Sequence, residues 1–291
     1  EGLHAWPGGC GSQIAYGTPQ TRPQLDYPFG AVGSRATMAA LERTDLTAPD
    51  GTRLRRWGRV PPDASKAVLF VHGATYAGRA AFDPAGYSWL DAVATAGRAA
   101  YAVDIRGYGD SERPPALEAP AAESEPVVRA STAAGDVAAA LESIAPDFDA
   151  VHLVGYSWGT IIAGLLLADR GADVTSLVQY APVYRPPSAH RDRFSPGEPP
   201  TAYRRVSKAE ARERWAEQRA GDAVPDDAFE AFWDALASSA QRVDDEEILA
   251  PNGTLVDLQV AIDAPPYDAA EITVPALVLR GSLDTASTRS E

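Results

Sequence analysis

The sequence predicts an α/β protein with a mainly parallel central sheet, helices on both of its faces, and a helical cap inserted late in the chain. Three observations predict it. Five short runs are apolar throughout, "AVLFVHG" (67–73), "AAYAVDI" (99–105), "AVHLVGY" (150–156), "TSLVQYAP" (175–182) and "PALVLRGS" (275–282), and such runs read as strands buried on both faces. Stretches with helical spacing alternate with them. Between Tyr184 and Pro275 that alternation gives way to a polar, aromatic-dotted segment too long for a plain loop.

Taken in order, residues 1–37 are rich in Gly, Pro, Gln and Ser and show no sustained period, the pattern of an irregular leader or non-native extension. Met38, the only methionine, stands where ordered patterning begins. Either it is the natural start, or the upstream residues are a true N-terminal extension packed on the surface. "LERTDL" and "RLRRWGRV" then read as an antiparallel hairpin across Ala48-Pro49-Asp50-Gly51, because Pro-Asp-Gly supplies a fixed φ followed by a position at positive φ. "GYSWLDAVATAG" is a helix with Trp89, Leu90 and Val93 on one side and Gly97 as its stop. With its flanking strands it makes a βαβ unit.

Four prolines in "RPPALEAPAAESEP" (113–126) mark a surface loop. "ASTAAGDVAAALESI" (130–144) and "SWGTIIAGLLLADRG" (157–171) supply the next two helices, on either side of the strand at 150–156. In the insertion, "KAEARERWAEQRAG" and "DDAFEAFWDALASSAQ" are the clearest helices, the second preceded by Pro225. The expected organisation is a core of residues 38–183 and 275–291 carrying a cap of residues 184–274.

Composition limits the partners. The chain has 291 residues and a formal net charge of -14, which disfavours nucleic acid and anionic membrane surfaces and fits a neutral small molecule better. No apolar run is long enough to span a bilayer. Cys10 is the single cysteine, so an internal disulfide and a cysteine-based metal cluster are excluded. A cytoplasmic protein without metal or cofactor is expected, and its oligomeric state is left open.

"VHLVGYSWGTIIAG" (151–164) places Ser157 between Gly155 and Gly159, after a strand and before a helix. That is where a nucleophile needs a sharp turn on which flanking side chains would clash. At this point the chain resembles the α/β-hydrolase superfamily, in the serine-nucleophile, esterase-like and lipase-like branch with a helical cap. The resemblance covers residues 41–291 and rests on "FVHGA" (70–74), "DIRGYGDS" (104–111), "VGYSWGT" (154–160) and "LVLRGSLDT" (277–285), in family order.

The resemblance implies an acyl-transfer site. Ser157 is the expected nucleophile, the backbone N–H groups of Ala74 and Trp158 the oxyanion hole, and Asp284 the acid that orients the catalytic imidazole. His72 is expected to hold the oxyanion loop rather than act as base, His152 to be a strand residue, and Asp104 to support the turn after it. His190 and His4 do not occupy the family's histidine position. No histidine follows Asp284, so the family's last helix, strand and histidine loop are expected to be missing from a truncated chain, with a natural pseudoenzyme as the rival.

A serine disfavours the epoxide hydrolase and haloalkane dehalogenase branches, which use aspartate at the elbow. The expected reaction is cleavage of a carboxylic ester, thioester or lactone of a small to medium, partly apolar substrate. A catalytically dead binding protein and a cofactor-free perhydrolase or C–C hydrolase are the alternatives. Tyr76, Tyr156 and Trp215 are expected to line the pocket, with Trp158 beside them. Phe229, Phe232 and Trp233 either join that pocket or fill the cap's own core.

Overall fold

The structure, a computed structural model, describes residues 39–170, 174–218 and 224–287, so the leader lies outside the described residues. Strands β1 (Glu42–Thr47) and β2 (Arg53–Arg59) form the hairpin, with Gly51 at φ 91° and its amide donating to Ala48 O (2.9 Å). β3 (Lys66–Val71), α1 (Gly78–Phe82), α2 (Trp89–Thr95) and β4 (Ala99–Asp104) follow. Gly97 takes φ 76° just past α2, as a helix stop requires. Then come α3 (Ala130–Glu142), β5 (Ala150–Tyr156), α4 (Trp158–Arg170) and β6 (Ser176–Tyr180).

The insertion contains β7 (Tyr203–Ser207), α5 (Lys208–Glu217), α6 (Asp227–Ala237) and β8 (Glu247–Pro251). α7 (Gly253–Asp263) and β9 (Ala276–Leu279) complete the described elements. The main sheet runs β1-β2-β4-β3-β5-β6-β9, antiparallel at β1/β2 and β2/β4 and parallel from β4 to β9.

Alternation along the central strands builds two cores. Leu69, Val71, Tyr101, Val103 and Leu153 face α3, α4 and α7, whereas Phe70, Ala102 and Val154 face Phe82 of α1 and Leu90 of α2. Gly164 of α4 lies against the ring of Tyr267, which leaves no room for a side chain at 164.

Two features depart from the sequence reading. The insertion carries its own antiparallel pair, β7/β8, whose polar strand "YRRVS" lacks an apolar run. α7, inside the segment assigned to the cap, packs Leu258, Ala261 and Ile262 into the main core. A correction concerns β9, expected to be buried. It pairs only with β6, and Leu277, Val278 and Leu279 are 48%, 61% and 44% exposed, because no described element lies beyond it or across its faces. Among the described residues no helix is long and apolar enough to cross a membrane.

Candidate active site

Ser157 sits at φ 52° between β5 and α4, a backbone region that costs a non-glycine residue about 1–3 kcal/mol. The flanking glycines make the turn possible. A Cβ at Gly155 would lie 2.6 Å from the carbonyl oxygen of Gly159, and one at Gly159 would run into the carbonyl of Val71. The Ser157 amide donates to Tyr180 O (3.0 Å), tying the turn to the end of β6. Gly73, after β3, lets the oxyanion loop approach: a Cβ there would stand 3.1 Å from Ser157 Cβ and 3.5 Å from its Oγ.

Ala74 is thus next to the residue that touches the serine, and Trp158 opens α4. The Trp158 amide is one of the first four in its helix, which have no carbonyl to meet inside the helix. The Ala74 carbonyl is held by three donors, Tyr108 Oη (2.8 Å), Arg204 Nη2 (3.1 Å) and Thr254 Oγ1 (3.4 Å). Such fastening fixes the loop in place beside Ser157.

The Trp158 side chain turns away from any pocket. It is fully buried, and its Nε1 donates to Asp257 Oδ2 (3.0 Å). The same oxygen accepts from Ala130 N (2.6 Å), while Oδ1 accepts from Arg129 Nε (2.6 Å). Burial pushes the Asp257 carboxyl up and Arg129 opposes it.

His72 is committed to the fold. Its Nδ1 lies 2.8 Å from Gly73 O and its Nε2 accepts from Ile105 N (3.1 Å), so the neutral ring carries its proton on Nδ1. Burial lowers its pKa to about 4. Asp104 accepts from Trp57 Nε1 (2.9 Å), Asp110 N (3.1 Å) and Arg79 N (3.3 Å), and burial raises its pKa to about 6. It thereby folds the "RGYGDS" turn, in which Gly109 at φ 52° leaves no space for a Cβ beside the carboxylate. His152 pairs with Ser176 Oγ (2.8 Å) on β5. His190 Nδ1 is buried with no hydrogen-bond partner among the described residues, its ring against Phe194.

Asp284 follows β9. Its Oδ1 accepts from the amides of Ala286 (2.9 Å) and Ser287 (3.1 Å), and the carboxylate acts electrostatically on the hydroxyls of Tyr156 and Tyr180. Tyr156 stacks on Tyr180 at 5.3 Å. Tyr76 meets Phe232 of the cap edge-on at 4.8 Å. Trp215 rests on Phe229 (5.7 Å) and Phe232 (5.5 Å), and Phe229 stacks on Trp233 (6.4 Å). Phe229, Phe232 and Trp233 are buried together in a cluster that also takes in Ala80 of α1, with Tyr76 and Trp215 on its margin.

Three residues that sequence reasoning passed over join the loop at 74–76 to the inserted segment. Arg204 Nη1 donates to Pro251 O (3.0 Å) and Asn252 Oδ1 (3.2 Å), and its Nη2 also to Thr75 Oγ1 (3.0 Å). Gln241 Nε2 donates to Thr75 O (2.6 Å) and Leu249 O (2.8 Å). Arg214 Nη2 donates to Tyr76 Oη (3.4 Å).

The model of the alpha/beta hydrolase family matches residues 68–290. Epoxide hydrolase A of Mycobacterium tuberculosis is 34% identical over 158 residues, 51% of this chain and 43% of that protein. Epoxide hydrolase 2 of Siraitia grosvenorii is 33% identical over 115 residues, 38% of this chain and 31% of that protein. The matches therefore span less than half the length of either curated relative. The enol-lactonase of Burkholderia xenovorans LB400 has the same fold, with a TM-score of 0.57 at 19% identity over 85% of this chain and 84% of that one.

Proposed function

Because the chain belongs to the alpha/beta hydrolase family, we propose that its elbow is built for acyl transfer: cleavage of a carboxylic ester, thioester or lactone through an acyl-serine at Ser157. The observation that carries this reading is Ser157 itself, held at φ 52° with Gly73 close against its Oγ. The sequence relatives are named epoxide hydrolases, yet a hydroxyl stands at this elbow. A hydroxyl needs a base before it attacks, and an acyl carbon is the electrophile that Ser157 and two nearby amides suit.

In the proposed sequence, Ser157 Oγ attacks the carbonyl carbon and the Ala74 and Trp158 amides hold the oxygen as it becomes negative. An imidazole oriented by Asp284 takes the serine proton and returns it to the leaving group. Residues 184–251 cover the site and, with Tyr76 and Tyr156, shape its pocket for a small, partly apolar substrate.

No histidine follows Asp284 in these 291 residues, and both ring nitrogens of His72 are taken. The 291-residue chain is expected to hydrolyse p-nitrophenyl esters orders of magnitude more slowly than an intact triad. Incubation with a fluorophosphonate probe tests the elbow directly, with Ser157→Ala as the control. Labelling that persists in Ser157→Ala, or a C-terminally extended form with neither labelling nor turnover, would remove the acyl-transfer reading. Triad-level turnover by the present chain would point to another base, and His190→Ala is the variant that would expose it.

A further inference from the structure

Arg214 of the cap forms no ion pair among the described residues, although the Glu210 carboxylate one turn earlier on α5 acts on it electrostatically. Arg214 of α5 donates from Nη2 to Tyr76 Oη, and its Nε is buried with no hydrogen-bond partner among the described residues. Neighbouring arginines are paired: Arg205 with Glu247 at 2.7 Å, and Arg212 with Glu230. Acidic groups are not scarce in a chain with 40 Asp and Glu against 26 Lys and Arg. The side chain is half-buried with its Nε sealed from water, and a guanidinium partly withdrawn from solvent without an ion pair costs the fold stability that Glu210 offsets only at a distance.

Its position is at the catalytic end. Arg214 acts electrostatically on Tyr76, two residues beyond Ala74, and on Tyr156, which immediately precedes Ser157. Arg204 adds positive charge to the same neighbourhood. Its own Nη1 and Nη2, however, donate to Pro251, Asn252, Ala74 and Thr75. Arg214 is therefore the guanidinium with an N–H to spare. A single planar fork suits one carboxylate, which accepts two parallel N–H bonds, better than a phosphate dianion, which calls for more donors.

We propose that Arg214 receives a free carboxylate carried by the substrate, so that the bond cleaved at Ser157 belongs to a half-ester, thioester or lactone that retains one acid group. The proposal rests on the acyl-transfer reading of Ser157 and refines the expectation of a neutral substrate drawn from net charge. The chain as a whole is acidic while this corner is cationic, which steers a monoanion toward it.

Calorimetric titration of the 291-residue chain with monomethyl glutarate and with dimethyl glutarate at neutral pH tests it. The monoanion is expected to bind roughly tenfold or more tightly than the diester. Arg214→Gln should abolish that preference while leaving diester affinity unchanged, Arg214→Lys should restore part of it, and Ser157→Ala should keep it. Equal affinities, absence of binding by either compound, or an unchanged preference in Arg214→Gln would each overturn the proposal. Should Arg214→Gln fail to fold by circular dichroism, the wild-type comparison and Arg214→Lys still decide. A carboxylate preference without acylation of Ser157 removes the hydrolase reading and keeps the anion site; acylation without the preference does the reverse.

Discussion

At the residue scale, two buried groups on neighbouring strand ends answer acid in opposite directions. His72, with its pKa lowered to about 4, takes up its proton later than in the unfolded chain. The stability it contributes is complete above about pH 6.5 and is lost as pH falls toward 4, on the order of 3 kcal/mol. Asp104, raised to about 6, holds a proton that the unfolded chain gives up near 3.8, so the fold gains stability as pH falls from about 6 to 4. The two slopes nearly cancel. Asp104→Asn is therefore expected to steepen acid destabilisation between about pH 6.5 and 4, by about 3 kcal/mol at the lower end, read from urea midpoints across that range. A pH profile as flat as that of the unsubstituted protein would refute the assignment. The same scale shows what the sequence withholds. Ser157, Gly155 and Gly159 declare themselves because their geometry is local, whereas Arg204 and Arg214 reach Ala74 and Tyr76 across 130 and 138 residues. Nothing in "YRRVS" or "ARERW" marks one arginine as inward and its neighbour as outward.

At the element scale, the elbow between β5 and α4 depends on contact between backbones. Gly159→Ala would press a methyl group onto the Val71 carbonyl, and a loss of roughly 1–3 kcal/mol or more is expected in thermal or urea unfolding. A variant as stable as the original would mean that the turn relaxes freely. The central strands were readable because they are apolar on both faces, and the paired helices because their spacing is regular. β7 and β8 were not, since a two-stranded ribbon over a cap needs only one apolar face, and only Val206, Ile248 and Ala250 of its strands join that core. The cap's hydrophobic centre is small, so Phe232, wedged between Tyr76 and Trp215, holds a large share of it. Phe232→Ala is expected to cost about 3–5 kcal/mol and to open the cap first. Limited proteolysis should then cut within residues 184–251 before the main sheet, and cutting in the sheet first would argue against a cap with its own core.

At the scale of the whole molecule, the described sheet has β9 as its last strand. Among the described residues nothing pairs with the outer edge of β9, and its apolar side chains are exposed, a combination that invites pairing with another chain. Val278→Lys should lower self-association measured by sedimentation velocity, without shifting the unfolding midpoint by more than about 0.5 kcal/mol. Association that is insensitive to this substitution would place the sticky surface elsewhere. Length, apolar alternation and the four motifs sufficed to foresee the layered, mainly parallel sheet. The exposure of β9 was hidden from them, because an apolar strand reads the same whether a neighbour covers it or not.

The guanidinium of Arg204 has a bearing on how such a protein can be altered. One side chain grips both the β7/β8 ribbon and the loop that carries Ala74, so the part that would choose the substrate is bolted to the part that would stabilise its oxyanion. Exchanging the insertion for that of a relative is therefore not a modular graft. A chimaera lacking an arginine at this place would inherit a new pocket and a slackened Ala74 carbonyl together, and specificity and rate would be inherited as a single trait.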